Sequence, residues 1–151
     1  MRTFIGYSKN DTAITASSVT LPYDLRKKTR QRVILDNGEE VALKLNRGIL
    51  MRGGDVLSDE QGLQVSVIAA QEKVSTAFAD DPWLLCRAAY HLGNRHVPLQ
   101  IGKGWVRFQY DHVLDELLLQ LGLQIEVAEF PFEPEDGAFA KGLGMHHHHH
   151  E

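Results

Sequence analysis

Histidine is the residue type through which this chain of 151 residues could do chemistry, and its placement is uneven. All eight histidines lie in the second half: His91, His96, His112, and the run His146, His147, His148, His149 and His150. Residues 1–90 hold none. Neutral imidazole offers a nitrogen lone pair that suits borderline metals such as Ni(II). A metal site is therefore expected beyond residue 90 and not before it. Enzymatic use of these histidines finds little support. Catalytic zinc usually takes three protein ligands, leaves a position for water and keeps a base nearby. The chain has no His-Glu-x-x-His stretch, no Cys-x-x-Cys, no Gly-x-Ser-x-Gly elbow and no phosphate-binding glycine-rich signature.

Composition narrows the class further. The chain is 43% hydrophobic and 24% charged, ordinary for a soluble globular protein. Its length suits one domain or two small ones. No apolar run approaches the roughly 20 residues a membrane helix needs, and the start lacks a signal-peptide stretch. The single cysteine, Cys86, permits no internal disulfide and fits a reducing cytoplasm. It sits among apolar helical residues and reads as a small buried hydrophobe. A formal net charge of −4 argues against nucleic acid as the partner.

The elements that must position the histidines fall into two patterns, an α+β organisation with boundaries at 1–70, 71–130 and 131–151. Residues 1–70 read as β structure. Val33 and Leu35 alternate with polar neighbours, as do Val41, Leu43 and Leu45, then Leu63, Val65 and Val67. Turns are expected at Asp36-Asn37-Gly38, Asn46-Arg47-Gly48, Arg52-Gly53-Gly54-Asp55 and Asp59-Glu60-Gln61-Gly62. Such short strands suit a small sandwich or an open barrel. After Ala70 the rhythm changes. A strand over Val74–Phe78 precedes a helix opened by Asp81-Pro82 and ended at Gly93, with Leu84, Leu85, Ala88, Ala89 and Leu92 on one face. Strands over Val97–Ile101 and Trp105–Gln109 follow, joined by a glycine turn. A second helix is capped by Asp111 and stopped by Gly122, and a last strand holds Leu123, Ile125 and Val127. The order is β-α-β-β-α-β, the ferredoxin-like arrangement. The stretch from Phe130 to Gly144 is expected to be extended and to dock through Phe130, Phe132 and Phe139. The histidine-bearing tail should be disordered without metal.

Three segments resemble the UreE urease accessory proteins. They are His91-Leu92-Gly93-Asn94-Arg95-His96-Val97-Pro98-Leu99-Gln100-Ile101, then Tyr110-Asp111-His112-Val113-Leu114-Asp115 with Gln120-Leu121-Gly122, and Pro131-Phe132-Glu133-Pro134-Glu135-Asp136-Gly137-Ala138-Phe139. The first domain agrees more loosely, through Arg30-Gln31-Arg32, Arg47-Gly48 and Gly54-Asp55-Val56-Leu57. The resemblance implies an N-terminal β domain similar to the peptide-binding domain of Hsp40 chaperones, followed by the ferredoxin-like domain. It also implies a homodimer through the second domains that binds nickel near its two-fold axis. In that reading the chain is a metallochaperone that passes Ni(II) towards urease apoenzyme alongside the accessory GTPase UreG.

Carried onto this chain, the resemblance makes His96 the interface ligand. A two-fold axis would supply its second copy at no cost in sequence. His112 matches a second metal-associated position on the first turn of a helix, where the helix dipole disfavours positive charge, including that of a bound cation. Some relatives carry histidine two residues earlier, where Tyr110 stands here, so His112 is expected to be auxiliary. His91 is expected to serve structurally near a helix end. The run His146 to His150 is either a purification tag or a native nickel collector. Its five histidines and the glutamate after them favour the native reading. Zn(II) and Cu(II) are expected to compete with nickel, copper most strongly. The basic cluster Arg26, Lys27, Lys28, Arg30 and Arg32 is either a docking surface for an acidic partner or a solvated face. The competing function is a peptide-binding adaptor in which the first domain acts and metal is incidental.

Overall fold

A computed structural model describes residues 1–137, which divide into two compact units, Met1–Ala70 and Gln71–Gly137. The expectations for Phe139 and for His146 to His150 lie outside the described residues.

The first unit is mostly β. Its strands are β1 (Arg2–Ser8), β2 (Ser17–Leu21), β3 (Arg30–Ile34), β4 (Glu40–Lys44), β5 (Val56–Asp59) and β6 (Gln64–Ala69), with a single-turn helix α1 (Tyr23–Arg26). They form one six-stranded sheet in the order β2-β6-β5-β1-β4-β3, in which β1 with β4 and β2 with β6 run parallel. The alternating residues Val33, Val41, Leu43, Val65 and Val67 join Phe4, Val19, Leu45 and Leu57 in one buried cluster. Gly38, Gly48, Gly54 and Gly62 all take positive φ at the four expected turns. The sheet's two outer strands, β2 and β3, come close to each other. Just past β3, the Asp36 backbone N–H donates to the Ser18 carbonyl at 2.8 Å, and the Asp36 carboxylate accepts from the Ser18 and Thr20 hydroxyls. The sheet therefore curls enough to bring the residue after one outer strand onto the other.

Two polar features lock this unit. Arg26, expected in a surface cluster, is fully buried, and its guanidinium donates to the carbonyls of Leu21 and Met51. A buried guanidinium needs such acceptors, and the carbonyls at the end of β2 and in the loop at Met51 supply them. Near the first strand, Arg2 bridges Glu39 and Asp59, each at 3.1 Å. Asp59 also accepts from the backbone N–H groups of Gln61 and Leu63.

The second unit has the expected order. Strand β7 (Gln71–Phe78) leads to α2 (Pro82–Asn94), then β8 (Gln100–Gly102), β9 (Trp105–Gln109), α3 (His112–Leu121) and β10 (Gln124–Pro131). The sheet order is β10-β7-β9-β8, antiparallel throughout. Ala77, Val106 and Phe108 from the sheet pack with Ala88, Leu92 and Leu118 from the helices. Asp81 caps α2 by accepting from Trp83 N–H, and Asp111 caps α3 by accepting from Val113 and Leu114.

Several boundaries differ from expectation. The strand expected from Val97 begins only at Gln100, and the last strand extends through Pro131, pairing with Gln71. Beyond it, Phe132 is buried, and the backbone N–H groups of Glu133 and Glu135 donate to the Gln100 side chain and the Leu99 carbonyl. This segment therefore links the β10 edge of the sheet to its β8 edge. Cys86 is exposed rather than buried, because it shares the outward stripe of α2 with Trp83 and Tyr90. No helix among the described residues is long and apolar enough to cross a membrane.

Candidate metal site

His96 stands where α2 stops, one turn later than expected. Gly93 lies inside the helix and shows no positive φ. The chain instead turns at Arg95 and His96, and His96 itself takes the left-handed conformation, φ +57°. Two hydrogen bonds define the turn: His96 N–H donates to the Gly93 carbonyl at 3.0 Å, and Val97 N–H to the Leu92 carbonyl at 3.1 Å. This is the Schellman arrangement, with its usual apolar contact supplied by Leu92 and Val97, both in the core cluster. The left-handed position is normally glycine or asparagine, since a Cβ there crowds the following carbonyl. Arg95 supports the turn by donating to the His91 carbonyl at 3.1 Å. The result is an exposed imidazole projected from a rigid corner.

His112 opens α3 and is also exposed. Its Nε2 lies 3.8 Å from a Glu116 carboxylate oxygen, one helical turn on. Tyr110, two residues earlier, packs its ring under the Lys73 ammonium at 4.1 Å. His91 is half-buried, its ring 5.4 Å from that of Tyr90, centroid to centroid, in an edge-on arrangement. Among the described residues, no group of three or more histidine, cysteine, aspartate or glutamate side chains is placed to hold a metal ion. One copy of residues 1–137 thus presents single imidazoles rather than a closed coordination shell. The signal for the His96 turn was present in sequence as an apolar pair five residues apart, Leu92 and Val97, around the turning residue. The same spacing, Leu118 and Leu123, surrounds Gly122 at the end of α3.

Comparison with known proteins identifies the family. Residues 4–70 match the N-terminal domain of the UreE urease accessory protein, and residues 72–151 match its C-terminal domain. The chain is similar to the urease accessory protein UreE of Pseudomonas putida (strain F1), 56% identical over 133 residues that cover 87% of this chain and 80% of that one. It is 51% identical to UreE of Escherichia coli O157:H7 over 137 residues, 90% of this chain and 89% of the relative. It is 52% identical to UreE of Citrobacter koseri over 139 residues, 91% of each. These relatives are named as accessory proteins, not as catalysts. Domain order, extent of match and level of identity agree, and the chain belongs to the UreE family of urease accessory proteins.

Proposed function

We propose that this chain carries Ni(II) for assembly of the urease active site, holding the metal between two copies through His96 and catalysing no reaction itself. One observation supports the reading above the others: an exposed histidine occupies a left-handed helix terminus that glycine would fill with less strain. A backbone strained at an exposed donor atom favours a ligand role over a folding role. Two copies related by a two-fold axis near His96 and Pro98 would bring two imidazoles together, which a single copy cannot do. His112 would assist as an auxiliary ligand. His146 to His150 would collect loosely held metal and raise its local concentration. Zn(II) and Cu(II) would compete for the same nitrogens. The partners in this reading are a second copy, urease apoenzyme and the accessory GTPase UreG, in the cytoplasm.

Calorimetric nickel titration of the full chain tests it. His96→Ala should remove the shared site, one metal per pair of chains. Deletion of residues 146–150 should lower total uptake and leave that site in place. If the deletion abolishes all binding while His96→Ala changes nothing, the shared-site reading fails.

A further inference from the structure

The two units carry opposite charge. Residues 1–70 hold ten lysines and arginines against eight acidic residues, while residues 71–137 hold five against eleven. Part of the basic surplus of the first unit collects on one face of its sheet. Side chains alternate between the two faces of a strand, and directly paired antiparallel residues share a face. Val33 and Val41 are paired and point into the core. The outward face of β3 and β4 therefore carries Arg30 opposite Lys44, Arg32 opposite Ala42, and Ile34 opposite Glu40.

Like charges set directly opposite destabilise a sheet. Arg30, Arg32 and Lys44 are exposed, and among the described residues none of them takes part in an ion pair. Glu40 sits diagonally from Arg32 on the same face and also forms none. Beside these cations Ile34 is 66% exposed, and Ile5, at an irregularity in β1, is 46% exposed. The face thus gathers three cations without ion-pair partners beside an exposed isoleucine, with one carboxylate among them.

We propose that this face docks an acidic protein segment bearing a branched aliphatic side chain, its carboxylates set against Arg30, Arg32 and Lys44 and its aliphatic group against Ile34. Guanidinium forks match carboxylates in two-point geometry, and Ile34 gives the segment something to bury. Nucleic acid fits less well. Glu40 would oppose its phosphates, and the outward side chains of β3 and β4 include no aromatic ring on which a base could stack.

The experiment uses the full chain without metal, so that a failed nickel site and a failed docking face remain distinguishable. The probe is a labelled synthetic peptide of alternating glutamate and isoleucine, followed by fluorescence anisotropy at low salt. The combined variant Arg30→Gln, Arg32→Gln, Lys44→Gln should weaken binding by about tenfold, from three exposed charge contacts. Ile34→Thr should weaken it by about threefold, through lost apolar burial. Lys44→Gln alone separates docking from folding, because removing the like-charge pair should raise the melting temperature while binding falls. No binding by the unaltered chain, equal binding by the glutamine variant, a lowered melting temperature for Lys44→Gln, or tighter binding of an oligothymidine strand would each overturn the proposal.

Discussion

Helices α2 and α3 end in the same hydrogen-bonded turn, built once around histidine and once around glycine. At the end of α3, Gly122 takes φ +108°, and the N–H groups of Gly122 and Leu123 return to the carbonyls of Leu119 and Leu118. At the end of α2, His96, Val97, Gly93 and Leu92 hold the corresponding places. Leu118 and Leu92 are both fully buried, so the packing beneath the two turns is also alike. The turning residue is the main difference in backbone conformation. Glycine relieves the backbone at one end, whereas histidine accepts strain at the other and presents an imidazole to solvent. Where folding alone sets the requirement, the chain uses the residue that costs least. A residue that costs more at His96 is what the proposed ligand role requires.

The largest effects should show the two ends to be equivalent underneath. Leu92→Ala and Leu118→Ala each empty a fully buried site, and each should cost about 2–5 kcal/mol in chemical denaturation. A much smaller loss at Leu92 would mean that the α2 end is loosely packed, and the argument from strain would then weaken. Exchanging the turning residues should give opposite signs. Gly122→His should destabilise by about 1 kcal/mol, since a Cβ is disfavoured at that φ. His96→Gly should stabilise by roughly 0.5–1 kcal/mol, the relief of strain exceeding the added freedom of the unfolded chain. If His96→Gly lowers stability, histidine is there for the fold after all. The smallest effect is a pH control in the other unit. Burial works to push the Asp59 carboxyl up, but hydrogen bonds from Arg2 and from the N–H groups of Leu63 and Gln61 outweigh it and hold it below the ordinary aspartate range. A carboxylate depressed in the folded state adds stability above its unfolded value of about 3.9 and loses it as pH falls through the lower folded value. Thermal melts should therefore show the first unit weakening below about pH 4. Asp59→Asn should remove that component and leave the second unit unchanged.

Periodicity made β3, β4 and β6 legible, because each keeps strict alternation against one core. Strand β1 was less so for a physical reason: its register shifts between Phe4 and Gly6, so Phe4 and Tyr7 both meet the core at a spacing of three. β5 buries Val56 and Leu57 in succession and so shows no alternation either. Both helix caps and the Gly122 stop could be read directly. At the end of α2 the glycine at Gly93 competes with the Leu92 and Val97 pair as a stop signal, and the true turn uses a residue that rarely adopts it. Cys86 was placed by its sequence neighbours, but the helical angle sets it with Trp83 and Tyr90. Arg26 stands in sequence beside other cations, and nothing local announces that its guanidinium satisfies the carbonyls of Leu21 and Met51. The histidines were identifiable as candidates from residue type and from family resemblance. The strained backbone of His96 became visible only in three dimensions.

The strand pairings also govern when each unit can close during synthesis. In the first unit β2 pairs along its length with β6, the last strand made, and β1 lies parallel to β4. In the second, β7 is the first strand made and pairs with β10 over eight residues, the final one. No opening strand pairs with its immediate successor: β1 waits for β4, and β7 for β9, so each stays unpaired until at least half of its unit has left the ribosome. At about 5–20 residues per second, that interval lasts seconds, far longer than a hairpin needs to form. The β3–β4 hairpin is the first local antiparallel pairing in the first unit, and it brings its basic outer face out before β5 and β6 complete the core beneath it.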